Sequence, residues 1–124
     1  NYHSTWAARG GYLPIAPLLF AREKVHTLYL EFDDERSGGF APLRYVSPDK
    51  TVVLGLVTTK RPDLEDPERI RERIKEAAQY VPLSRLSLSP QCGFASTEIG
   101  NKLTEEDQWK KIALVRDIAQ TVWG

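Results

Sequence analysis

The chain has 124 residues, 41% of them hydrophobic and 27% charged, the makeup of an ordinary globular domain able to bury one core. Lys and Arg number 17 against 17 Asp and Glu, so no global field recruits nucleic acid or an anionic membrane surface, and no apolar run is long enough to span a bilayer. A single cysteine excludes an internal disulfide framework and fits a reducing compartment, so a cytoplasmic location is expected. The chain contains no methionine and opens Asn1-Tyr2-His3-Ser4-Thr5-Trp6 without a secretory pattern, which reads as a piece of a longer protein or as a processed terminus.

Asn1 to Gly11 is polar, aromatic and glycine-terminated, and reads as a loop. His3, beside Ser, Thr and Trp, reads as a surface or hydrogen-bonded residue rather than a ligand or base. Over Tyr12 to Lys24 the residues Leu13, Ile15, Ala16, Leu18, Leu19 and Phe20 include i, i+3 and i+4 pairs and predict a helix; Pro14 fits its first turn and Pro17 shortens or kinks its start. Val25 to Leu30 is rich in β-formers and too short for a helix, so it predicts a strand running into Glu31, Asp33, Asp34 and Glu35. Asp33, Asp34 and Glu35 read as a solvated turn. Glu31 differs, because it continues the alternation from Tyr29 and projects from the strand into a barrel mouth or pocket.

Arg36 to Lys50, with Gly38-Gly39, Pro42 and Pro48, is an irregular crossover with a brief helical turn around Pro42 to Tyr45. Thr51 to Val57 is a nearly continuous apolar run, as expected for a parallel strand covered on both faces, with Thr58, Thr59, Lys60 and Arg61 at its C-terminal end. Asp66-Pro67-Glu68 is a helix start followed by Ile70, Ile74, Ala77 and Ala78 at helical spacing, the charges between them forming a solvated side. Leu86 and Leu88 alternate with Ser87 and Ser89 as in a short half-buried strand; Pro90 removes a ladder donor and Gly93 permits a turn, which puts Cys92 just past the strand's C-terminal end. Thr104-Glu105-Glu106-Asp107 resembles a capping box, and Ile112, Val115, Ile118, Ala119 and Val122 mark a closing amphipathic helix in which Trp109 and Trp123 read as packing anchors.

Three strands, each followed by a crossover or helix, define an α/β protein of three consecutive βα units with parallel strands. Three units do not close an eight-stranded barrel. With the strands adjacent, Glu31, Thr58 to Lys60 and Cys92 share one rim, where functional groups gather in such folds. Glutamate oxygen and cysteine sulfur are competent zinc ligands, yet two ligands do not make a stable site. A lone cysteine is also often a small buried hydrophobe, and that reading stands beside the chemical one. Unpaired sheet edges predict self-association or contact with the remainder of a parent chain.

Several blocks together resemble the cobalamin-independent methionine synthase family, in particular its short one-domain relatives: Gly10-Gly11-Tyr12, Leu30-Glu31-Phe32-Asp33-Asp34, Val53-Leu54-Gly55-Leu56-Val57-Thr58-Thr59-Lys60, Ser89-Pro90-Gln91-Cys92-Gly93-Phe94 and Gly100-Asn101-Lys102-Leu103-Thr104. The resemblance implies that residues 1–124 are the C-terminal portion of a TIM (β/α)8 barrel, holding zinc in the complete protein. It implies Glu31 and Cys92 as two of the metal ligands, with a histidine and a second cysteine from an H-x-C segment expected just before Asn1. It implies methyl transfer from methyltetrahydrofolate to the thiol of homocysteine, with Lys60 as an acid or electrostatic group where the long synthases carry a histidine. Because the shorter relatives often carry lysine there, a different donor or acceptor remains open, as does a non-catalytic scaffold derived from the same barrel.

Overall fold

A computed structural model of the chain describes residues 3–5, 8–95 and 97–124; part of the opening segment, Asn1, Tyr2, Trp6 and Ala7, lies outside the described residues, as does Ser96. The elements run α1 (Ala16–Arg22), β1 (Thr27–Glu31), β2 (Thr51–Val57), α2 (Pro67–Ala77), β3 (Leu86–Pro90) and α3 (Glu105–Trp123), with short 3-10 turns at Glu35–Ser37, Ala41–Tyr45 and Leu83–Arg85. The three strands form one sheet in the order β1-β2-β3, and both pairings are parallel. Fold class and strand order are therefore those expected from the sequence.

Strand alternation sorts the side chains onto two faces. Leu28, Leu30, Val52, Leu54, Leu56 and Leu86 are buried in one core with Phe20, Ile70, Ile74 and Ile118 from the helices. The opposite face carries Thr27, Tyr29, Glu31, Thr51, Val53, Ser87 and Ser89, and on it Tyr29 is 75% exposed. The start of β2 is thus covered on one side only, with Thr51 exposed and Val53 half-buried, whereas Leu54 to Val57 are buried in succession, as expected of a run covered on both faces. The open face is the one that would line the inside of a closed barrel, and its small and polar residues suit that role.

The predicted helix over Tyr12 to Lys24 shrinks to α1, because Pro17 can occupy only the first turn and Tyr12 to Ile15 form a turn ahead of it. Helix α2 starts as read: the Asp66 carboxylate accepts from the Glu68 amide at 2.9 Å and Pro67 occupies the first turn. Thr104 and Asp107 complete the capping box of α3, with the Asp107 amide donating to the Thr104 hydroxyl at 3.2 Å and the Thr104 amide to the Asp107 carboxylate at 2.9 Å. Trp123 packs against the core and donates its indole N–H to Leu83 O at 3.1 Å. Trp109 is not the anchor it was read to be. It is 59% exposed, because it lies on the helix face opposite Lys111 and Ile118, with its indole near Glu105.

One glycine sets the approach of the rim. Gly55 stands between Glu31 of β1 and Ser89 of β3 in the register, and a Cβ there would lie 3.0 Å from Gln91 Cα, 3.0 Å from Leu30 O and 3.2 Å from Gln91 O. All three obstructions are backbone, so a side chain could be fitted only by pushing the turn that carries Cys92 off the sheet. Gly55→Ala is expected to lower stability by about 1–3 kcal/mol, the usual cost of overpacking, read as a lower denaturant midpoint at unchanged slope. An unchanged midpoint would show that the turn yields without cost.

Candidate functional site

The C-terminal ends of all three strands meet at one rim, and three residues singled out from the sequence lie there in three different settings. Glu31 ends β1 on the open face, with its side chain 39% exposed and its carboxylate accepting from Arg36 at 2.6 Å. Lys60 follows β2 and is buried, with Nζ 2.5 Å from Asp33 Oδ2 and 3.4 Å from Asp34 Oδ2. Cys92 follows β3 and is half-buried; its thiol donates to Gln91 Oε1 at 3.0 Å and lies 3.4 Å from the Thr59 hydroxyl.

These settings are linked. Arg36 bridges Glu31 to Asp34, whose carboxylate it meets at 3.4 Å, and Asp34 in turn shares Lys60 with Asp33. The resulting line Glu31, Arg36, Asp34, Lys60, Asp33 alternates sign from end to end and ties β1 to β2. On the other side, Thr59 connects β2 to β3: its hydroxyl reaches Gln91 Oε1 at 3.2 Å as well as Cys92, and its carbonyl accepts from Asn101 at 2.9 Å. The segment Thr58 to Lys60 is therefore the hinge-pin of the rim, joined to Glu31 through charges and to Cys92 through a hydroxyl.

The acidic turn departs from its reading. Glu35 is exposed as expected, but the Asp33 side chain is wholly buried and Asp34 nearly so. A carboxylate is tolerated there because Lys60 arrives from the neighbouring strand, a partner that local sequence does not reveal. Among the described residues, Asp33 Oδ1 has no hydrogen-bond partner although it is buried. A cavity of about 900 Å3 opens beside this pair, lined by Asp33, Thr58, Lys60, Arg61, Arg69 and Arg73 among others. A smaller one, about 240 Å3, is lined by Arg9, Tyr12, Glu31 and Arg36.

Beneath Glu31 lies an aromatic cluster: Tyr12 sits 5.6 Å from Phe20 and 5.5 Å from Phe32, and Phe32 4.7 Å from Phe40, ring centre to ring centre. The Glu31 amide donates to the Tyr12 hydroxyl at 2.8 Å, so a ring from before α1 fixes the end of β1. Burial pushes the Tyr12 hydroxyl above its ordinary value near 10, outweighing the hydrogen bond from the Glu31 amide, which favours the phenolate. The folded state thus holds this proton more tightly than the unfolded chain. Its contribution to stability is complete below pH 10 and is lost as pH rises through the folded-state value. Denaturation series across that range should show stability falling with pH, and Tyr12→Phe should lose that part of the slope; an equal slope in both proteins would rule the assignment out.

His3 donates through Nδ1 to Gly100 O at 3.0 Å, and Ser4 Oγ accepts from the Lys102 amide at 3.0 Å, so the described part of the opening segment is tied to the loop before α3. His3 is a hydrogen-bonded residue here, as read. Thr59 was placed on the rim from sequence, but Tyr12, Arg36 and Gln91 were given no role there. Tyr12 meets Glu31 from 19 positions away and Gln91 meets Thr59 from 32, whereas Arg36 lies only five residues past Glu31, on the turn that follows β1.

Among the described residues no three His, Cys, Asp or Glu side chains are grouped so as to hold a metal ion. The donor types of Glu31 and Cys92 suit zinc, but their number does not, and Glu31 is engaged by Arg36. A complete site therefore requires donors beyond the described residues, while the Arg36 contact engages only Oε2 of Glu31 and leaves Oε1 outside the pair. Among those residues, too, no helix is long and apolar enough to cross a membrane.

A parallel βα sheet with carboxylate, thiol and lysine gathered at the strand C-termini is the arrangement of one sector of a (β/α)8 enzyme. Residues 20–120 match the catalytic domain of the cobalamin-independent synthases, and the chain belongs to that family. It is 56% identical over 124 residues to the uncharacterized protein YxjG of Bacillus subtilis (strain 168) and 55% identical to YxjH of the same organism, covering 99% of this chain and 33% of each relative. The chain thus spans about a third of the length of the curated relatives it matches. A crystal structure from Listeria monocytogenes, assigned as a vitamin-B12 independent methionine synthase, superposes with a TM-score of 0.76 at 47% identity, covering 94% of this chain and 33% of that one. The B12-independent methionine synthase of Shewanella sp. W3-18-1, solved with selenomethionine, shares the fold at a TM-score of 0.74 and 18% identity, over 90% of this chain and 30% of that one.

Proposed function

We propose that residues 1–124 form the C-terminal portion of a cytoplasmic, zinc-dependent methyltransferase that moves a methyl group from methyltetrahydrofolate to the thiol of homocysteine. What carries the reading is the placement of Glu31 and Cys92 at the ends of the two outer strands, on one rim, with side-chain-free Gly55 between them, in a chain of the cobalamin-independent synthase family. Zinc, when bound, would be held by the Glu31 carboxylate and the Cys92 sulfur with donors from outside this chain, and it supplies the acidity that turns a bound thiol into a nucleophilic thiolate. Thr59 positions the Cys92 sulfur through its hydroxyl. Lys60, committed to Asp33 and Asp34, acts as an electrostatic group that holds the rim together rather than as a mobile acid.

The remaining sheet edges, β1 and β3, would be completed by the rest of the parent chain or by self-association. A non-catalytic scaffold is the second reading, favoured by the Glu31–Arg36 ion pair, which occupies one proposed ligand. Methionine formation separates the two. The full-length protein is expected to convert homocysteine and methyltetrahydrofolate to methionine and to lose this activity on zinc removal, whereas the isolated chain should retain far less than one zinc after dialysis. A full-length protein without methyl transfer to any thiol would leave the scaffold reading standing.

A further inference from the structure

Helix α3 carries a lysine where its pattern calls for an apolar residue. Lys111 precedes Val115, Ile118 and Val122 at the spacing of one helix face, and its side chain is fully buried. A buried ammonium persists only when its donors are engaged. Here Nζ donates to Asp63 O at 2.6 Å and to the Glu65 carboxylate at 3.1 and 3.4 Å. Glu65 has a second task, since its Oε1 accepts from the backbone amide of Thr58 at 2.8 Å. The loop from Thr58 to Glu65 is thereby closed on itself at the end of β2, and Lys111 locks the closure from below.

We infer that Lys111 is a positioning residue which, through Glu65, sets the rim segment Thr58 to Lys60 and with it the seats of both Cys92 and the Lys60–Asp33 pair. The path is continuous: Lys111 to Glu65, Glu65 to the Thr58 amide, Thr58 Oγ1 to the Lys60 amide at 3.3 Å, then Thr59 to Cys92 and Lys60 to Asp33. Lys111 itself touches none of the proposed reacting groups. A salt bridge that only docked α3 would have no reason to include a carboxylate already holding the first residue after β2. This inference rests on the methyltransferase reading for its kinetic consequence, although the geometry of the lock does not.

The test compares three variants of the full-length protein. Lys111→Met takes the cation from the half-buried Glu65 carboxylate and the donor from Asp63 O, so Glu65 turns towards solvent and the loop shifts with it; kcat should fall by up to roughly 100-fold, as for a small misplacement at a reacting centre, with KM for the thiol changed little. Adding Glu65→Gln to Lys111→Met removes the stranded charge yet keeps an oxygen for the Thr58 amide, and should restore most of kcat. Amide exchange at Thr58 to Lys60, followed in the same samples, should accelerate in the single variant and return towards wild type in the double. If no methyl transfer is found in the wild type, the functional reading fails while amide exchange still decides the inference. Should Lys111→Met not fold, two double variants decide: Lys111→Met with Glu65→Gln keeps an acceptor for the Thr58 amide and is expected to retain most of kcat, and Lys111→Met with Glu65→Leu, which offers Thr58 no acceptor, is expected to show the loss. Equal kcat and exchange in the variants compared, or a double variant as impaired as Lys111→Met, would overturn it.

Discussion

Cys92→Ala in the full-length protein is expected to abolish methyl transfer and strip most of the zinc while leaving the fold in place. The fold should survive because Cys92 is only half-buried at the rim and belongs to no part of the hydrophobic core. Removing its sulfur costs the Thr59 hydroxyl and Gln91 Oε1 one contact each, and those two groups still meet at 3.2 Å. As a metal ligand, by contrast, the thiolate has no substitute in this chain: among the described residues there is no third donor grouped with Glu31 and Cys92. The loss of zinc affinity should exceed the roughly 100-fold that removal of a residue hydrogen-bonded to a metal ligand brings. Metal content and methionine formation are the measurements, with circular dichroism as control, and a folded variant that keeps both zinc and activity would remove Cys92 from the site.

The largest effect on stability is expected at Lys60. Its ammonium and the Asp33 carboxylate are both out of solvent, and among the described residues Asp33 Oδ1 already lacks a hydrogen-bond partner. Lys60→Met fills the same volume but abandons Asp33, and with it half of the charge balance at Asp34. Breaking such a pair by deleting one partner typically costs about 3–5 kcal/mol, much of it the penalty of the uncompensated charge left behind. Adding Asp33→Asn to that variant should therefore recover a substantial part of the loss, although Lys60 is gone in both. Denaturant unfolding reads both steps, and a double variant less stable than Lys60→Met would mean that Asp33 is stabilised by something other than the lysine.

These expectations depend on contacts that were unequally visible in the sequence. The parallel order and the rim were legible because the apolar run of β2, the Asp66-Pro67 start and the Thr104 capping box are local signals, each decided within a few residues of itself. The burial of Asp33 was not, since a carboxylate's environment is set by its counter-ion and Lys60 lies 27 positions away. Lys111 left a trace that could have been read: a lysine in phase with Val115, Ile118 and Val122 belongs to the inner face of α3, and a charge on that face needs a partner. Trp109 was misjudged for the same geometrical reason in reverse, being large and aromatic but out of phase with the buried side. The open face of the sheet escaped notice because Thr51 and Gly55 were absorbed into the apolar run, although their alternation with Val52 and Leu54 already separated two surfaces.

The placement of Glu31 and Cys92 on one rim acquires its meaning only with the metal. Arg36 holds Glu31 through Oε2 at 2.6 Å, which leaves Oε1 as the oxygen a zinc ion would meet. Anomalous diffraction at the zinc edge from crystals of the full-length protein tests this most directly. The account predicts a single zinc peak within ligand distance of both the Glu31 carboxylate and the Cys92 sulfur. A zinc bound elsewhere, or one beyond ligand distance of either the Glu31 carboxylate or the Cys92 sulfur, would contradict it.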